Sequence, residues 1–247
     1  MLLRNQDVKI ELTDKVHCSL FESIILYDRP SSQWFNMDLK QSFLILLGNG
    51  DINVEGKELQ KNGLQVIPWI FWPRRPFILE KMLDNNKILN YHERKIGSIF
   101  IGNFENKVQE KYRKTSHNWK SVLDEYHCTA GTKHKFTQEE YLDKLRNSKY
   151  GLCLRGFGSK CHREVELMAF GTVPIITPEV SISSYMDSPE ENKHYIICNN
   201  PENLKEIISK ITEEQWQIMS NNCFEWYQRN VYSKNCFNNF LSNILYN

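Results

Sequence analysis

The sequence lacks the features that define several protein classes. No apolar run approaches the ~20 residues that a membrane span needs, and the N-terminal Met-Leu-Leu-Arg-Asn-Gln-Asp has no apolar core of signal-peptide length. The formal net charge of +1 gives no broad electrostatic field to attract nucleic acid, so any anion site must be local. There is no P-loop and no Gly-x-Ser-x-Gly elbow. We therefore predict neither a membrane span in this chain nor a nucleic-acid partner.

Cysteine usage speaks against a disulfide framework and against a structural metal. The chain has seven cysteines, an odd number, with no Cys-x-x-Cys pair that would hold zinc. They are scattered, and several fall inside predicted strands or helices: Cys18, Cys128, Cys153, Cys161, Cys198, Cys223 and Cys236. We predict reduced, mostly buried thiols, no metal and no bound cofactor.

What is present is typical of a soluble globular protein: 247 residues, 40% hydrophobic and 25% charged. From Gly97 onward the pattern is α/β. Residues 98–102 form a short apolar strand ending at Gly102 and Asn103, where α/β sheets present loops to ligands. A charged helical stretch is predicted over 105–126, with a break near Thr115-Ser116, and Thr137 begins a helix through a capping box with Glu140.

Two apolar stripes near the C-terminus predict closing helices after a strand at 195–198. Asn200-Pro201 begins a helix with an apolar face, and Thr212 with Gln215 caps the next one. Their apolar positions recur at helical spacing and are assigned to the core: Leu204, Ile207, Ile208 and Ile211, then Trp216, Met219, Cys223 and Trp226.

The first ninety residues are less regular. Four short apolar runs predict strands, at 8–12, 23–27, 42–47 and 64–67. Residues 68–76, Pro-Trp-Ile-Phe-Trp-Pro-Arg-Arg-Pro, have two interpretations. They form a stiff crossing between two domains, or their side chains line a cleft and bind a sugar acceptor; the side chains concerned are Trp69, Trp72, Arg74 and Arg75.

Residues 150–176 are the most informative stretch of the chain. They predict a β-α-β unit: a strand over Leu152–Leu154, a glycine loop at 156–159, a helix from about Lys160 to Phe170, and a second strand. Ser159 is the predicted N-cap of the helix, and Gly171 stands where a C′ glycine is expected.

The chemistry of this unit suits a nucleotide. A helix N-terminus offers unpaired N–H groups and partial positive charge, to which Arg155, Lys160 and Arg163 add full charges. Glu166, one turn further, can accept hydrogen bonds from a ribose diol. Gly156, Gly158 and Ser159 complete the predicted donor site together with Gly102 and Asn103. The alternative is that Arg163 and Glu166 form a surface i,i+3 pair.

Cys153 to Ile176 resembles the C-terminal signature of the exostosin-like glycosyltransferases. That signature runs Cys-x-Arg-Gly-aromatic, five residues, Arg-x-x-Glu, then aromatic-Gly-x-x-Pro. This chain meets it without a gap at Cys153, Arg155, Gly156, Phe157, Arg163, Glu166, Phe170, Gly171 and Pro174. One departure is that Cys161-His162 stands where the family has Ser-Pro before the helical arginine.

The resemblance implies a GT-B-like α/β fold with two Rossmann-like halves, here residues 1–95 for the acceptor and 96–247 for the nucleotide-sugar. It implies inverting transfer from a UDP-sugar to a carbohydrate hydroxyl of an oligosaccharide or glycan, with xylose as the first choice of sugar. No Asp-x-Asp occurs, which speaks against the metal-dependent GT-A enzymes. Because animal and plant exostosins are Golgi membrane proteins, we expect either a cytoplasmic protein or a soluble piece of an anchored enzyme.

The catalytic base is predicted at Asp51, with Asp28 as the second choice, because each follows an apolar strand. Gly48-Asn49-Gly50-Asp51 fails as a dinucleotide fingerprint because Asn53 replaces its third glycine, so a plain turn role for Asp51 stays open. The rival interpretations of the chain are a non-catalytic nucleotide- or glycan-binding module of the same fold and a nucleotide-dependent enzyme outside sugar transfer.

Overall fold

The computed structural model describes residues 24–27, 44–48, 50–61, 65–115, 118–131 and 133–236. Within them the fold is α/β with two parallel sheets. The strand predicted at residues 8–12 and two residues named above, Cys18 and Asp28, lie outside the described residues.

The first sheet contains the three remaining strands predicted in the N-terminal region. They are β1 (Ile24–Tyr27), β2 (Leu44–Leu47) and β3 (Gln65–Pro68), parallel and in the order β1-β2-β3. A π-helical turn (Ile52–Gly56) and α1 (Lys57–Lys61) connect β2 to β3. Because parallel strands need a crossover, this connection carries the chain back to the start of the next strand.

The second sheet is larger and holds the predicted β-α-β unit. Its strands are β4 (Ile96–Phe104), β5 (Glu125–Ala130), β6 (Ser148–Cys153), β7 (Val173–Ile176) and β8 (Ile196–Ile197). All pairs are parallel, in the order β5-β4-β6-β7-β8. The chain leaves β4 towards one side and then crosses back to β6 on the other side. The carboxyl ends of β4 and β6 therefore flank a topological switch point.

The helices after β3 are mostly where the apolar stripes predict them. They are α2 (Pro76–Asn85), α3 (Lys107–Glu110), α4 (Gln138–Arg146), α5 (His162–Ala169), α6 (Leu204–Ser209) and α7 (Glu213–Asn230). The two predicted capping boxes are confirmed at α4 and α7, where the threonine hydroxyls of Thr137 and Thr212 each accept a backbone N–H at 3.2 Å. Short 3₁₀ turns occur at Tyr91–Glu93, Trp119–Ser121, Ile182–Ser184 and Pro201–Asn203.

The prediction of helix over residues 105–126 was wrong in its second half. After α3 and a π-helical turn (Lys111–Thr115), the chain reaches a 3₁₀ turn and then enters β5 at Glu125. The ring of Tyr126 stacks on Phe100 of β4, with centroids 5.1 Å apart. Pairing with β4, a contact between distant parts of the chain, decides the conformation here against the local helical pattern.

Helix α5 lies at the centre of the main core. All of its residues except His162 are buried, and Val165 and Met168 share a cluster with Trp226 and Tyr227 of α7. Ile70 and Leu79 belong to the same cluster, so residues that precede the predicted boundary at 95/96 pack with those that follow it. The boundary itself stays a prediction.

Two further sequence expectations concern the described chain as a whole. Cys128, Cys153, Cys161, Cys198, Cys223 and Cys236 are free thiols, as predicted. Among the described helices, none combines the length and the apolar character needed to cross a bilayer.

Candidate functional site

A cavity opens at the topological switch point of the larger sheet. Its walls are the end of β4 (residues 101–103), the loop after β6 (156–158), the N-terminal part of α5, and Arg74 with His134 from neighbouring loops. We call it the switch-point cavity. Open α/β sheets bind ligands in this position because the two flanking connections leave in opposite directions.

Helix α5 begins two residues later in the chain than predicted. The N-cap is Cys161 and not Ser159, because the Cys161 backbone N–H is bound by the Glu164 carboxylate at 3.0 Å, which closes the first turn. The Ser159 hydroxyl is buried, and no partner for it occurs among the residues described. Gly171 has φ +63°, as a C′ glycine should.

Arg163 reaches from α5 under the end of β4. One guanidinium nitrogen donates to the Ile101 carbonyl, and the guanidinium lies 4.4 Å from the centre of the Phe100 ring. Its Nε and Nη1 are buried and have no hydrogen-bond partner within the described part of the chain. Gly102 makes room for it, since a Cβ at that position would lie 3.0 Å from Arg163 Nη2. The residue lines the cavity as a buried cation with unused donors.

Glu166 lies on the same side of α5 and is 2% exposed. Its Oε1 accepts the backbone N–H of Arg74 at 3.0 Å, and its Oε2 accepts the hydroxyl of Tyr141 at 2.7 Å. Burial, and then the neighbouring carboxylate, raise the pKa of Tyr141 well above its usual value, so the phenol remains the donor. Each carboxylate oxygen keeps a lone pair that could accept a hydroxyl from a ligand. The surface-pair alternative for Arg163 and Glu166 is wrong, because both side chains are buried.

His134 lines the cavity beside Glu166 and was not singled out in the sequence. Its ring stacks on Tyr141 with centroids 5.2 Å apart. Burial lowers the pKa of His134, and the positive charges of Arg163 and Arg74 lower it further. The imidazole is therefore neutral at neutral pH. The sequence around His134 does not indicate that its side chain lines a cavity, because a single histidine in a polar loop has no distinguishing pattern.

The other predicted basic residues have different positions. The Lys160 ammonium donates to the carbonyls of Leu47 and Trp69, at 3.1 Å each, and so joins the α5 loop to the end of β2. Arg155 is not among the residues that line the cavity; its guanidinium lies 5.7 Å from the Tyr112 ring. Their predicted roles as donor ligands stay predictions.

Besides Arg74 and Arg163, a third arginine lines the cavity, and the sequence analysis did not identify it. Arg113 is buried and donates to the Asn103 carbonyl at 2.6 Å and to the Arg155 carbonyl at 3.1 Å. It thereby fixes the ends of β4 and β6 relative to each other. In the sequence Arg113 stands within a charged stretch and cannot be told apart from a surface residue.

A second cavity adjoins the first. It is lined by Gly48, residues 70–74 and His162, and we call it the aromatic cavity. Trp72 and Arg74, both predicted to contact an acceptor, lie along it, whereas Arg75 is exposed at the N-cap of α2. Trp69 is 1% exposed and belongs to the core. Phe71, Arg74 and His162 line both cavities.

Asp51 forms a turn at the end of the first sheet. Its Oδ1 accepts the Asn53 backbone N–H at 2.7 Å, and its Oδ2 accepts the Ser181 hydroxyl at 2.6 Å. Asp51 is not among the residues that line either cavity. The predicted catalytic role of Asp51 remains untested, as does that of Asp28, which lies outside the described residues. In the described segments no group of three or more His, Cys, Asp or Glu side chains could hold a metal ion.

Comparison with known proteins identifies the fold. No protein-family model matches the chain, and no curated protein matches it in sequence. Its structure is similar to the crystal structure of the DNA-modifying enzyme β-glucosyltransferase, determined with and without its substrate uridine diphosphoglucose. The TM-score is 0.55 at 13% identity, and the match covers 91% of this chain and 74% of that one. That enzyme is a GT-B glycosyltransferase, so this chain has a glycosyltransferase-like α/β fold.

Proposed function

We propose that this protein is a glycosyltransferase that takes its sugar from a UDP-sugar. The observation that carries the proposal is Arg163, a buried cation beside the N-terminus of α5 at the switch point of a parallel sheet, two of whose guanidinium nitrogens have no hydrogen-bond partner among the described residues. A diphosphate would satisfy both the guanidinium and the helix N–H groups. The likeness to an enzyme whose substrate is uridine diphosphoglucose supports the same donor class.

The finer points of the proposal come from the exostosin resemblance. We propose inverting transfer to a hydroxyl of a glycan, with xylose as the first sugar to test and no divalent metal. Glu166 would bind the ribose, and the aromatic cavity, with Trp72 and Arg74 along it, would receive the acceptor. Flat aromatic rings pack against sugar faces, and the +1 net charge offers no broad field for a polyanionic acceptor.

Calorimetry with UDP and with uridine tests the donor site. We expect Arg163→Met to weaken UDP binding at least tenfold, since a charge-assisted hydrogen bond contributes ~1.5–3 kcal/mol, and to leave uridine binding nearly unchanged. The matched control is Arg229→Met. Arg229 is an exposed residue of α7 that pairs with Asp187, and the variant should bind UDP normally. Equal losses for UDP and uridine would remove Arg163 from the phosphate site.

Release of UDP from a panel of UDP-sugars, with and without glycan acceptors, tests the reaction. Turnover with one sugar supports the transferase. Binding of UDP-sugars without any turnover would favour a non-catalytic nucleotide- or glycan-binding module, and failure to bind UDP at all would favour a nucleotide-dependent enzyme of another kind.

A further inference from the structure

His162 occupies the boundary between the two cavities. It is the first residue of α5, and it lines both the switch-point cavity and the aromatic cavity. Its ring stacks almost flat on Phe71, with centroids 4.4 Å apart and an interplanar angle of 16°. The ring is therefore held between the place proposed for the donor and the place proposed for the acceptor.

The hydrogen bonding of His162 determines which ring nitrogen is free. Its Nδ1 is hydrogen-bonded to the backbone carbonyl of Trp72. A carbonyl only accepts, so Nδ1 must carry the proton, and in the neutral ring Nε2 then keeps its lone pair. Among the residues that the structure describes, no hydrogen bond to Nε2 is found. A fixed tautomer with an open Nε2, on a residue that lines both cavities, is the arrangement that a general base requires.

We infer that His162 is the catalytic base of the transfer reaction, an inference that rests on the proposed function. The acceptor hydroxyl oxygen forms a bond to C1 of the sugar while the bond from C1 to the diphosphate oxygen breaks. The bonding electron pair leaves with UDP, and the hydroxyl proton passes to Nε2. The imidazolium, still held at Nδ1 by the Trp72 carbonyl, then loses that proton to solvent.

His162 suits this role better than the other acidic or basic side chains near the cavities. Both oxygens of Asp51 accept protein hydrogen bonds, one from the Asn53 N–H and one from the Ser181 hydroxyl, and both oxygens of Glu166 do so as well. His134, the other imidazole nearby, lines the switch-point cavity and is not among the residues of the aromatic cavity. The charged residues that line the switch-point cavity together with His162 are Arg74, Arg113, Lys160, Arg163 and Glu166.

Hydrolysis of UDP-sugars tests the inference without a known acceptor, because water can take the place of the hydroxyl. The informative variant is His162→Asn, whose amide can still donate to the Trp72 carbonyl but offers no base at the Nε2 position. We expect turnover to fall by ~10²–10⁴-fold while the dissociation constant for UDP changes by less than about twofold.

His92→Asn, at an exposed histidine paired with Glu213, is the matched control and should keep wild-type turnover. Turnover of His162→Asn within a few-fold of wild type overturns the inference and leaves the transferase proposal standing. A wild-type protein that binds UDP-sugars but never releases UDP overturns the proposed function, and the inference with it.

Discussion

At the scale of single residues, the candidate site depends more on the burial of its side chains than on their residue types. Arg163 and Glu166 are three apart on one helix, which in an exposed helix makes an ordinary surface pair. Here both are at least 93% buried, one against the end of β4 and the other between Arg74 and Tyr141. Because both are buried, Arg163 keeps hydrogen-bond donors and Glu166 keeps lone pairs that a ligand could use.

Glu166→Gln tests the ribose contact. Glu166→Ala is less informative, because the carboxylate also holds the Arg74 backbone and Tyr141. If Glu166 binds the ribose diol, wild type should prefer UDP over its 2′-deoxy or 3′-deoxy analogue by about 10- to 100-fold, from ~1.5–3 kcal/mol per hydrogen bond. Glu166→Gln should lose most of that preference in calorimetry. An unchanged preference in the variant would exclude this contact.

At the scale of elements, the start of α5 contains a second buried carboxyl. Glu164 is 1% exposed; its Oε2 accepts the Cys161 N–H, and its Oε1 has no partner among described atoms. Burial raises the pKa of Glu164 from 4.5 to about 7, against the opposing charge of Arg163. The cap of α5 is therefore sensitive to pH near neutrality.

This shift predicts how stability depends on pH. Because the folded chain binds more protons than the unfolded chain between pH 4.5 and about 7, the contribution of Glu164 to the free energy of unfolding falls as pH rises through that window. The loss is at most about 3 kcal/mol. In urea unfolding, Glu164→Gln should not show this fall in the free energy of unfolding. The stability of the variant relative to wild type should therefore increase from pH 5 to pH 8. Glu214→Gln, exposed on α7, should keep the wild-type trend.

Arg94 connects several elements at the opposite end of the sheet. It is 4% exposed, and its guanidinium donates to Thr172 and to four backbone carbonyls, those of Leu89, Arg146, Ser148 and Phe170. Arg94→Met would leave these acceptors buried without donors. At ~1–3 kcal/mol for each such group, we expect a loss of at least about 3 kcal/mol in urea unfolding. Arg229→Met should change the unfolding free energy little, and an equally small effect at Arg94 would contradict this account.

At the scale of the whole molecule, the proposed mechanism relies on cations of the chain where metal-dependent transferases use a metal ion. The sequence has no Asp-x-Asp, and Arg163 with the α5 N-terminus faces the proposed diphosphate. We therefore expect turnover to be unchanged after EDTA treatment. Complete loss with EDTA, reversed by manganese, would show that the leaving group needs a metal and would contradict the proposed mechanism.

Much of the fold could be predicted from local patterns, since these patterns report physics that acts within one element. The strand at residues 98–102, the capping boxes at Thr137 and Thr212, and the glycine that ends α5 all lie where the sequence indicates. The β5 strand could not be predicted locally, because its pairing with β4 and the stacking of Tyr126 on Phe100 join distant segments.

The sequence by itself determined the β-α-β unit and the residue types that suit a nucleotide, because both depend on spacing along one short stretch. Only the tertiary structure decided which of those residues come together. It buried Arg163 under β4, engaged Lys160 with the ends of the first sheet, and held His162 against Phe71 and Trp72. The hydrogen bonds among these contacts join residues 62 to 113 positions apart in the chain. No periodicity reports them, because long-range packing is set by the topology of the whole fold.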